Sequence, residues 1–208
     1  QRLGENHPDV AASLNNLANL YSFQGRYEEA KPLFLQALEL RKQLLGENHA
    51  DVAISLHGLA KLYMAQKYYD QSEPLFLQAL KLKQCLLGEN NLNIAAIFDD
   101  MAVLHSLQGN YFEAKKLFLQ ALSLIIELLG EDHIYVAKNI YNLAGLYSSQ
   151  RRYEEAEPLY LKALALFKRL LGDNHPYVAA SLNNLAFLYK SQGRYQEAEP
   201  LYLEALAI

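Results

Sequence analysis

The chain repeats itself every 42 residues. A segment that reads Leu-Gly-Glu-Asn-His-Pro-Asp-Val-Ala from Leu3 returns, with substitutions, from Leu45, Leu87, Leu129 and Leu171. No insertion or deletion interrupts this spacing, and the repeats are 3–44, 45–86, 87–128, 129–170 and 171–208. Self-similarity at a fixed period of this size is typical of proteins that stack one small structural unit many times.

The first half of each repeat is predicted to form a helix, which we call helix A. In the first repeat Pro8 suits the first helical position, because its missing N–H would have no intrahelical partner there. Either His7 or Asn6 would cap this helix. Apolar residues recur at helical spacing up to about Gln24, and Gly25 then suits the left-handed residue that often ends a helix.

The second half of each repeat is predicted to form a second helix, helix B, from near Tyr27 to Leu44. Gly46 then ends this helix as Gly25 ends the first. Ala30, Ala37 and most of their equivalents place small side chains where neighbouring helices approach closely. One helix pair cannot cover its own apolar stripes, whereas a stack of pairs can. We therefore expect an all-α solenoid of five antiparallel helix pairs, without strands.

One order of large and small residues recurs in the repeats, and in the first repeat it consists of Leu17, Ala18, Tyr21, Gly25, Tyr27, Ala30, Phe34 and Ala37. This order resembles the tetratricopeptide repeat (TPR). The 42-residue period and the Leu-Gly-x-x-His-Pro-x-Val-Ala linker are more specifically similar to repeats of the kinesin light chain type. The resemblance implies a right-handed superhelix whose concave face is lined by A helices. It also implies that this face binds peptide segments of other proteins or of the same chain.

We expect residues 1–208 to form one such solenoid and to be an excerpt of a longer protein. The chain starts at Gln1 rather than at a methionine. The last B helix would also end at Ile208, about four residues earlier than its equivalents. Apolar surface at the ends of such a stack could drive head-to-tail self-association.

The binding surface is predicted on the side of each A helix that faces away from the core stripe. Residues on this side vary among the repeats while the packing positions stay nearly constant. Diversification for binding and drift on a solvated surface both explain this variation. The candidate peptide-binding residues are Asn15, Asn16, Asn19, Phe23, His57, Lys61, Met64, Asp99, Asp100, Val103, Leu107, Lys138, Tyr141, Asn142, Asn183, Asn184, Phe187 and Lys190.

Asparagine is unusually frequent on this surface. It is a poor residue inside a helix, because its side chain competes for backbone hydrogen bonds. An amide offers both a donor and an acceptor, so it can pair with the backbone of an extended peptide. Apolar neighbours such as Phe23 and Phe187 could then accept the peptide's side chains. The alternative is that these amides bond to the adjacent helix and stiffen the stack, and both roles can coexist.

The charged residues of this surface are of both signs. Lys61 and Lys138 flank Asp99 and Asp100 in successive repeats, and Lys190 follows in the fifth. We expect the lysines to pair internally with the aspartates. Strong binding of acidic peptides or phosphopeptides is therefore not predicted.

Composition excludes several other classes of function. The net charge of −4 argues against a protein that binds nucleic-acid phosphates, and no run of about 18 apolar residues predicts a membrane span. A single cysteine, Cys85, is compatible with a reducing compartment, and we expect a cytoplasmic protein. No nucleophile elbow, phosphate-binding glycine loop or zinc-ligand spacing is present, so we expect neither an enzyme nor a cofactor or metal.

Four of the six histidines occupy one position in the linker between repeats. They are His7, His49, His133 and His175, and Asn91 stands at this position in the third repeat. Their 42-residue spacing places each in a different repeat, so we expect them to cap turns rather than to bind a metal together. His105 replaces a tyrosine of the core stripe and is expected to be buried.

The sequence as a whole predicts a protein–protein interaction scaffold that binds a peptide segment in a groove lined by A helices. The alternative is a structural or regulatory array inside a larger signalling protein. Such an array would work through intramolecular contacts or end-to-end self-association.

Overall fold

The computed structural model describes residues 7–208, and over this range every regular element is an α-helix. The A helices are α1 (Pro8–Phe23), α3 (Ala50–Ala65), α5 (Leu92–Leu107), α7 (Ile134–Ser149) and α9 (Pro176–Ser191). The B helices are α2 (Tyr27–Leu45), α4 (Tyr69–Leu87), α6 (Tyr111–Leu129), α8 (Tyr153–Leu171) and α10 (Tyr195–Leu206). The prediction of an all-α fold with five helix pairs is confirmed.

The helix boundaries follow from glycines and caps in the linkers. Helices α1 and α2 begin at the predicted residues and end within one residue of the predicted positions. Gly25 and Gly46 have φ angles of 74° and 82°, in the left-handed region that side chains other than glycine rarely adopt. The helices therefore end where the backbone turns through a conformation that glycine accepts without strain.

The linker histidines cap the A helices, as predicted. Nδ1 of His7 accepts a hydrogen bond of 3.2 Å from the backbone N–H of Asp9. His49, His133 and His175 repeat this bond at α3, α7 and α9. In the third repeat Oδ1 of Asn91 accepts the equivalent bond, at 2.8 Å. His7 is thus the first cap, while Asn6 lies outside the described residues.

Two compact units divide the chain between Leu104 and His105, within α5. In the N-terminal unit α1 packs on α2, α3 packs on α4, and α2 contacts α3. Phe34 is buried there among alanines and leucines of adjacent helices. In the C-terminal unit the pairs α7 with α8 and α9 with α10 are joined by contacts of α8 with α9, and α6 contacts α7. Each unit thus buries its apolar stripes by stacking helix pairs.

His105 is buried at the start of the C-terminal unit, as predicted. No helix among residues 7–208 combines the length and apolar character needed to cross a membrane. That residues 1–208 form a single solenoid stays a prediction.

Candidate functional site

The predicted binding residues differ in how far they reach solvent. The exposed ones are Asn16, Phe23, Lys61, Leu107, Asn183, Phe187 and Lys190. The partly buried ones are Asn19, His57, Met64, Asp99, Asp100, Val103, Lys138, Tyr141, Asn142 and Asn184. Most of this surface is therefore open or half-open.

The placement of Asn15 on the exposed surface is wrong. Its residue surface is 4% exposed, and its Oδ1 accepts a hydrogen bond of 3.4 Å from the hydroxyl of Ser55. Asn15 lies where α1 contacts α3, the A helix of the next repeat. The equivalent Asn183 of α9 is exposed. In the first repeat this position therefore belongs to the contact between successive A helices.

A charged cluster joins α3 to α5 in the N-terminal unit. Nε2 of His57 lies 2.7 Å from a carboxylate oxygen of Asp100, and Nζ of Lys61 lies 3.3 Å from the same oxygen. Burial raises the pKa of Asp100, but the hydrogen bond from His57 and the charge of Lys61 outweigh it and hold this pKa below its ordinary value. The predicted internal pairing of Lys61 is confirmed.

The equivalent contact in the C-terminal unit is uncharged. Nδ2 of Asn184 in α9 donates a hydrogen bond of 2.6 Å to the hydroxyl oxygen of Tyr141 in α7. The Tyr141 ring also meets the rings of Tyr160 and Phe167 edge-on. Burial raises the pKa of Tyr141, and burial with the nearby Tyr141 raises the pKa of Tyr160 to about 12. Both phenols are therefore neutral at physiological pH.

Lys138 lies against aromatic rings, and its pairing with Asp99 or Asp100 stays a prediction. Its Nζ lies 4.7 Å from the centroid of the Tyr177 ring and 5.9 Å from that of Tyr135. Both distances are within the range of a cation–π interaction. The lysine is held by aromatic rings because α7 and α9 begin with tyrosines at the positions where α1 and α3 carry aspartates.

Helix α9 carries three exposed residues of the predicted surface. Asn183, Phe187 and Lys190 follow one another at spacings of four and three residues, which place them on one side of the helix. All three are exposed, and the Phe187 residue is 55% exposed. An amide, an aromatic ring and a cation thus stand in a row, able to meet a peptide's backbone, an apolar side chain and a carboxylate.

The asparagines divide between the two predicted roles. Asn184 bonds to Tyr141 of α7, and Asn15 bonds to Ser55 of α3. Each bond joins the A helices of two successive repeats, which is the predicted role of stiffening the stack. Nδ2 of Asn19 donates to the backbone carbonyl of Asn15, one turn earlier in α1. Asn16 and Asn183 are exposed on α1 and α9, where their amides can reach a ligand.

One exposed aromatic residue on a B helix is not among the predicted binding residues. Phe112, in the first turn of α6, is 84% exposed. The sequence carries a sign of this residue, because the equivalent residues of the other repeats are all polar: Glu28, Asp70, Glu154 and Gln196. A phenylalanine at a position that otherwise carries polar side chains is not explained by the repeat pattern.

The chain is similar to known repeat proteins. The tetratricopeptide repeat profile matches residues 9–84, 51–123, 93–151 and 136–208. No curated protein sequence matches the chain. Among solved structures, BtubC (BKLC) from P. vanneervenii is 26% identical with a TM-score of 0.80, and the match covers 96% of this chain and 80% of BtubC.

Two further solved structures share the fold. Nearly identical TPR-like repeats of a kinesin light chain protein from Podospora anserina are 26% identical with a TM-score of 0.75, covering 97% of this chain and 95% of that one. A Rap protein is 21% identical with a TM-score of 0.78, covering 91% of this chain and 51% of Rap. The matched profile spans nearly the whole sequence, and the chain belongs to the tetratricopeptide repeat family, with repeats similar to those of kinesin light chain.

Proposed function

We propose that this chain is a non-enzymatic interaction scaffold that binds a peptide segment of a protein partner along its A-helix surfaces. Membership of a family of protein-interaction repeats supports the general role. The residues of the A helices support the particular surface.

The row of Asn183, Phe187 and Lys190 on α9 carries the proposal. The Phe187 residue is about half exposed, so a ligand that covers its ring removes apolar surface from water. Burial of apolar surface lowers the free energy of the complex. The amide one turn before it can bond to a peptide backbone, and the lysine one turn after it can meet a carboxylate. Lone surface phenylalanines are common, but one flanked on the same helix side by hydrogen-bonding groups fits a peptide contact.

The A-helix surface of the N-terminal unit offers different chemistry. Asp100 is already occupied by His57 and Lys61, so this cluster has little free charge for a ligand. The exposed predicted residues of α1 in the same unit are Asn16 and Phe23. We therefore expect backbone and apolar contacts to dominate binding in this unit.

The solved Rap structure is a complex with competence and sporulation factor. At 21% identity the likeness shows the fold alone, and the proposal for this chain rests on its own residues.

A peptide-array screen tests the proposal. Peptides that bind the wild-type protein are measured against Phe187→Ala and Asn183→Ala, and we expect Phe187→Ala to weaken binding about tenfold, as for an aromatic anchor. Tyr195→Ala is the matched control, since it removes an exposed aromatic ring from the first turn of α10, a B helix that is not part of the proposed surface. If every array ligand binds Phe187→Ala as tightly as wild type, the proposed surface is wrong.

The partly buried asparagines give a second measurement on the same ligands. Asn184→Ala removes the donor to Tyr141, and Asn142→Ala changes the residue at the equivalent position of α7. We expect weaker binding in both, smaller than for Phe187→Ala. Unchanged affinity with lowered stability would assign these amides to the stack alone.

Self-association is the second candidate function. Leu17 and Leu20 of α1 are exposed, whereas the equivalent Leu59 and Leu62 of α3 are buried. Exposed leucines side by side can pack against another copy. Light scattering over a range of concentrations tests this: a rise in mass that Leu20→Gln abolishes supports self-association, and constant monomer mass contradicts it.

A further inference from the structure

A cleft lies on the B-helix side of the C-terminal unit, between α6 and the loop that joins α7 to α8. Its volume is about 660 Å³, and we call it the α6 cleft. The residues that line it are Tyr111, Phe112, Lys115, Lys116, Leu119, Gln120, Ser123, Gln150 and Arg152. Three of them are cations, two are aromatic, one is leucine and none is acidic. The lining therefore combines apolar surface with positive charge.

The third repeat departs from the others at this cleft. Phe112 stands where three repeats carry an acid and the fifth a glutamine. Lys116 stands where the other four repeats carry proline. The Phe112 replacement makes an acidic or polar position apolar, and the Lys116 replacement makes a neutral position basic. Both changes make the local surface less negative. Neither is needed for packing, because both residues are exposed.

The charge around the cleft is opposite to that of the equivalent surface one repeat later. Residues 111–116 and 150–152 contain four cations and one carboxylate. Residues 153–158 and 192–194 contain one cation and three carboxylates. The chain as a whole carries a net charge of −4, so the positive charge here is a local feature. Charge complementarity selects a negatively charged ligand.

The partners of the cleft cations are exposed carboxylates and the Tyr147 ring, which Arg152 overlies at 4.6 Å from the centroid. Nζ of Lys116 lies 2.8 Å from Glu113, and Arg152 bonds to Glu155, in both cases on the exposed surface. Nζ of Lys115 lies 5.6 Å from the centroid of the Tyr147 ring. Exposed ion pairs contribute little to stability, so carboxylates of a ligand can replace them at small cost.

A further cation stands next to the cleft in an unfavourable backbone conformation. Arg151 has a φ angle of 59°, in the left-handed region, where the equivalent residues of three other repeats are glycines. Lys67 has a similar φ of 64° in the second repeat. An arginine in this conformation is tolerated rather than favoured by the turn. It adds positive charge beside Arg152, consistent with a ligand that is acidic.

From these observations we propose that the α6 cleft binds an acidic peptide segment through one apolar anchor side chain. The rings of Tyr111 and Phe112 and the side chain of Leu119 pack against the anchor. Lys115, Lys116 and Arg152 pair with flanking carboxylates. This site is separate from the A-helix surface and takes a different class of segment, so one chain can hold two peptides.

Selection from a library tests the proposal without presuming a sequence. A phage-displayed library of random dodecapeptides is selected on the wild-type protein, with the double variant Phe112→Glu, Lys116→Pro as counter-selection target. This variant restores residues that other repeats carry at the same positions, so helix α6 is expected to keep its structure, which circular dichroism checks. We expect the surviving peptides to be net negative with at least one aromatic or large aliphatic residue.

Fluorescence anisotropy then measures one selected peptide, labelled at its N-terminus. We expect the double variant to weaken binding at least tenfold, and Lys115→Gln to weaken it less and to reduce its dependence on salt. Phe187→Ala is the matched control and should bind as wild type, which separates this site from the A-helix surface. Peptides without net negative charge, an absence of variant-dependent peptides, or equal affinity for the double variant would each overturn the proposal.

Discussion

Arg41 of the N-terminal unit and Phe167 of the C-terminal unit occupy the same position of the repeat, near the end of a B helix. Arg41 is 6% exposed, and its Nη1 donates to the backbone oxygen of Asp51 at 2.9 Å and to the Ser55 hydroxyl at 2.8 Å. Phe167 is fully buried and stacks on the Tyr177 ring, with centroids 5.1 Å apart. One unit fills this contact with a hydrogen-bonded cation and the other with stacked rings.

The contact between A helices shows the same difference. His57 and Asp100 in the N-terminal unit stand at the repeat positions of Tyr141 and Asn184 in the C-terminal unit. The first pair is a hydrogen bond to a carboxylate at 2.7 Å, and the second is a neutral bond at 2.6 Å. The two contacts join the same repeat positions at similar distances, but one is charged and the other is neutral.

The repeat period thus fixes where the helices meet, whereas the side chains at each contact determine which interactions hold the helices together. Backbone spacing and the small residues at Ala30, Ala37 and their equivalents set the approach of the helices. The larger side chains then need only fill the space and satisfy their polar atoms. The consequence is that dependence of stability on pH should differ between the units.

The largest effect is expected for Phe167→Ala. It removes a fully buried ring that contacts Tyr141 and Tyr177, so the free energy of unfolding should fall by about 4 kcal/mol. Urea unfolding followed by circular dichroism measures this, and hydrogen exchange should locate the loss in the C-terminal unit. Arg41→Ala is the counterpart, expected to cost about 2 kcal/mol through its lost hydrogen bonds. An equal or larger loss for Arg41→Ala would break the comparison.

Substitution of alanine for the two glycines inside A helices, Gly58 and Gly145, is expected to change stability in opposite directions. A Cβ on Gly58 of α3 would lie 2.5 Å from Cε1 of the buried Phe34 ring, so Gly58→Ala should destabilise the protein by about 2 kcal/mol through overpacking. A Cβ on Gly145 of α7 would meet only the Tyr160 hydroxyl, at 3.6 Å. Gly145→Ala should therefore stabilise by about 0.5 kcal/mol through helix propensity. The two melting temperatures should move in opposite directions, and a common direction would contradict the structure.

Asp100→Asn should remove a contribution to the free energy of unfolding that is present at neutral pH and lost in acid. Because the pKa of Asp100 is held below its ordinary value, its contribution is complete above that ordinary value and is lost as pH falls through the folded-state pKa. The variant should lose about 1.5 kcal/mol at pH 7, with the difference from wild type shrinking toward pH 3. Asn184→Ala, in the uncharged counterpart, should cost the same at both pH values. Urea unfolding at pH 3, 5 and 7 measures both.

Lys83→Ile is expected to have a modest and stabilising effect. Lys83 is 4% exposed, and burial lowers its pKa despite the charge of Asp51. The folded state therefore binds its proton less tightly than the unfolded state, and stability should rise as pH increases toward the ordinary pKa.

The third repeat carries isoleucine at this position, so Lys83→Ile should gain about 1 kcal/mol at pH 7. The gain should shrink by pH 10. Arg41→Leu is the control and should destabilise, because it leaves the Ser55 hydroxyl and the Asp51 carbonyl without their donor. A loss of stability in Lys83→Ile would show that the buried ammonium supports the fold.

Much of the fold could be predicted because the same helix-pair pattern occurs in all five repeats of the sequence. Helix ends at Gly25 and Gly46 and caps at His7 and its equivalents follow from local chemistry that each repeat carries in full. The candidate surface was predicted less well. Asn15 was placed on the open side, because helical periodicity gives the direction of a side chain but not the position of the next A helix. The position of Lys138 beside two tyrosine rings is not predicted by the sequence, because it depends on contacts across repeats.

The sequence by itself determined the period, the helix pairs, their caps and the family, since these depend on residues close together in the chain. The burial of particular polar residues, the pairs that meet across 40 or more residues and the open cleft with cations around Phe112 became visible in the folded structure. The physical reason is that stacking brings the same repeat position against a different neighbour each time. The chemistry at each contact is therefore a property of two repeats together.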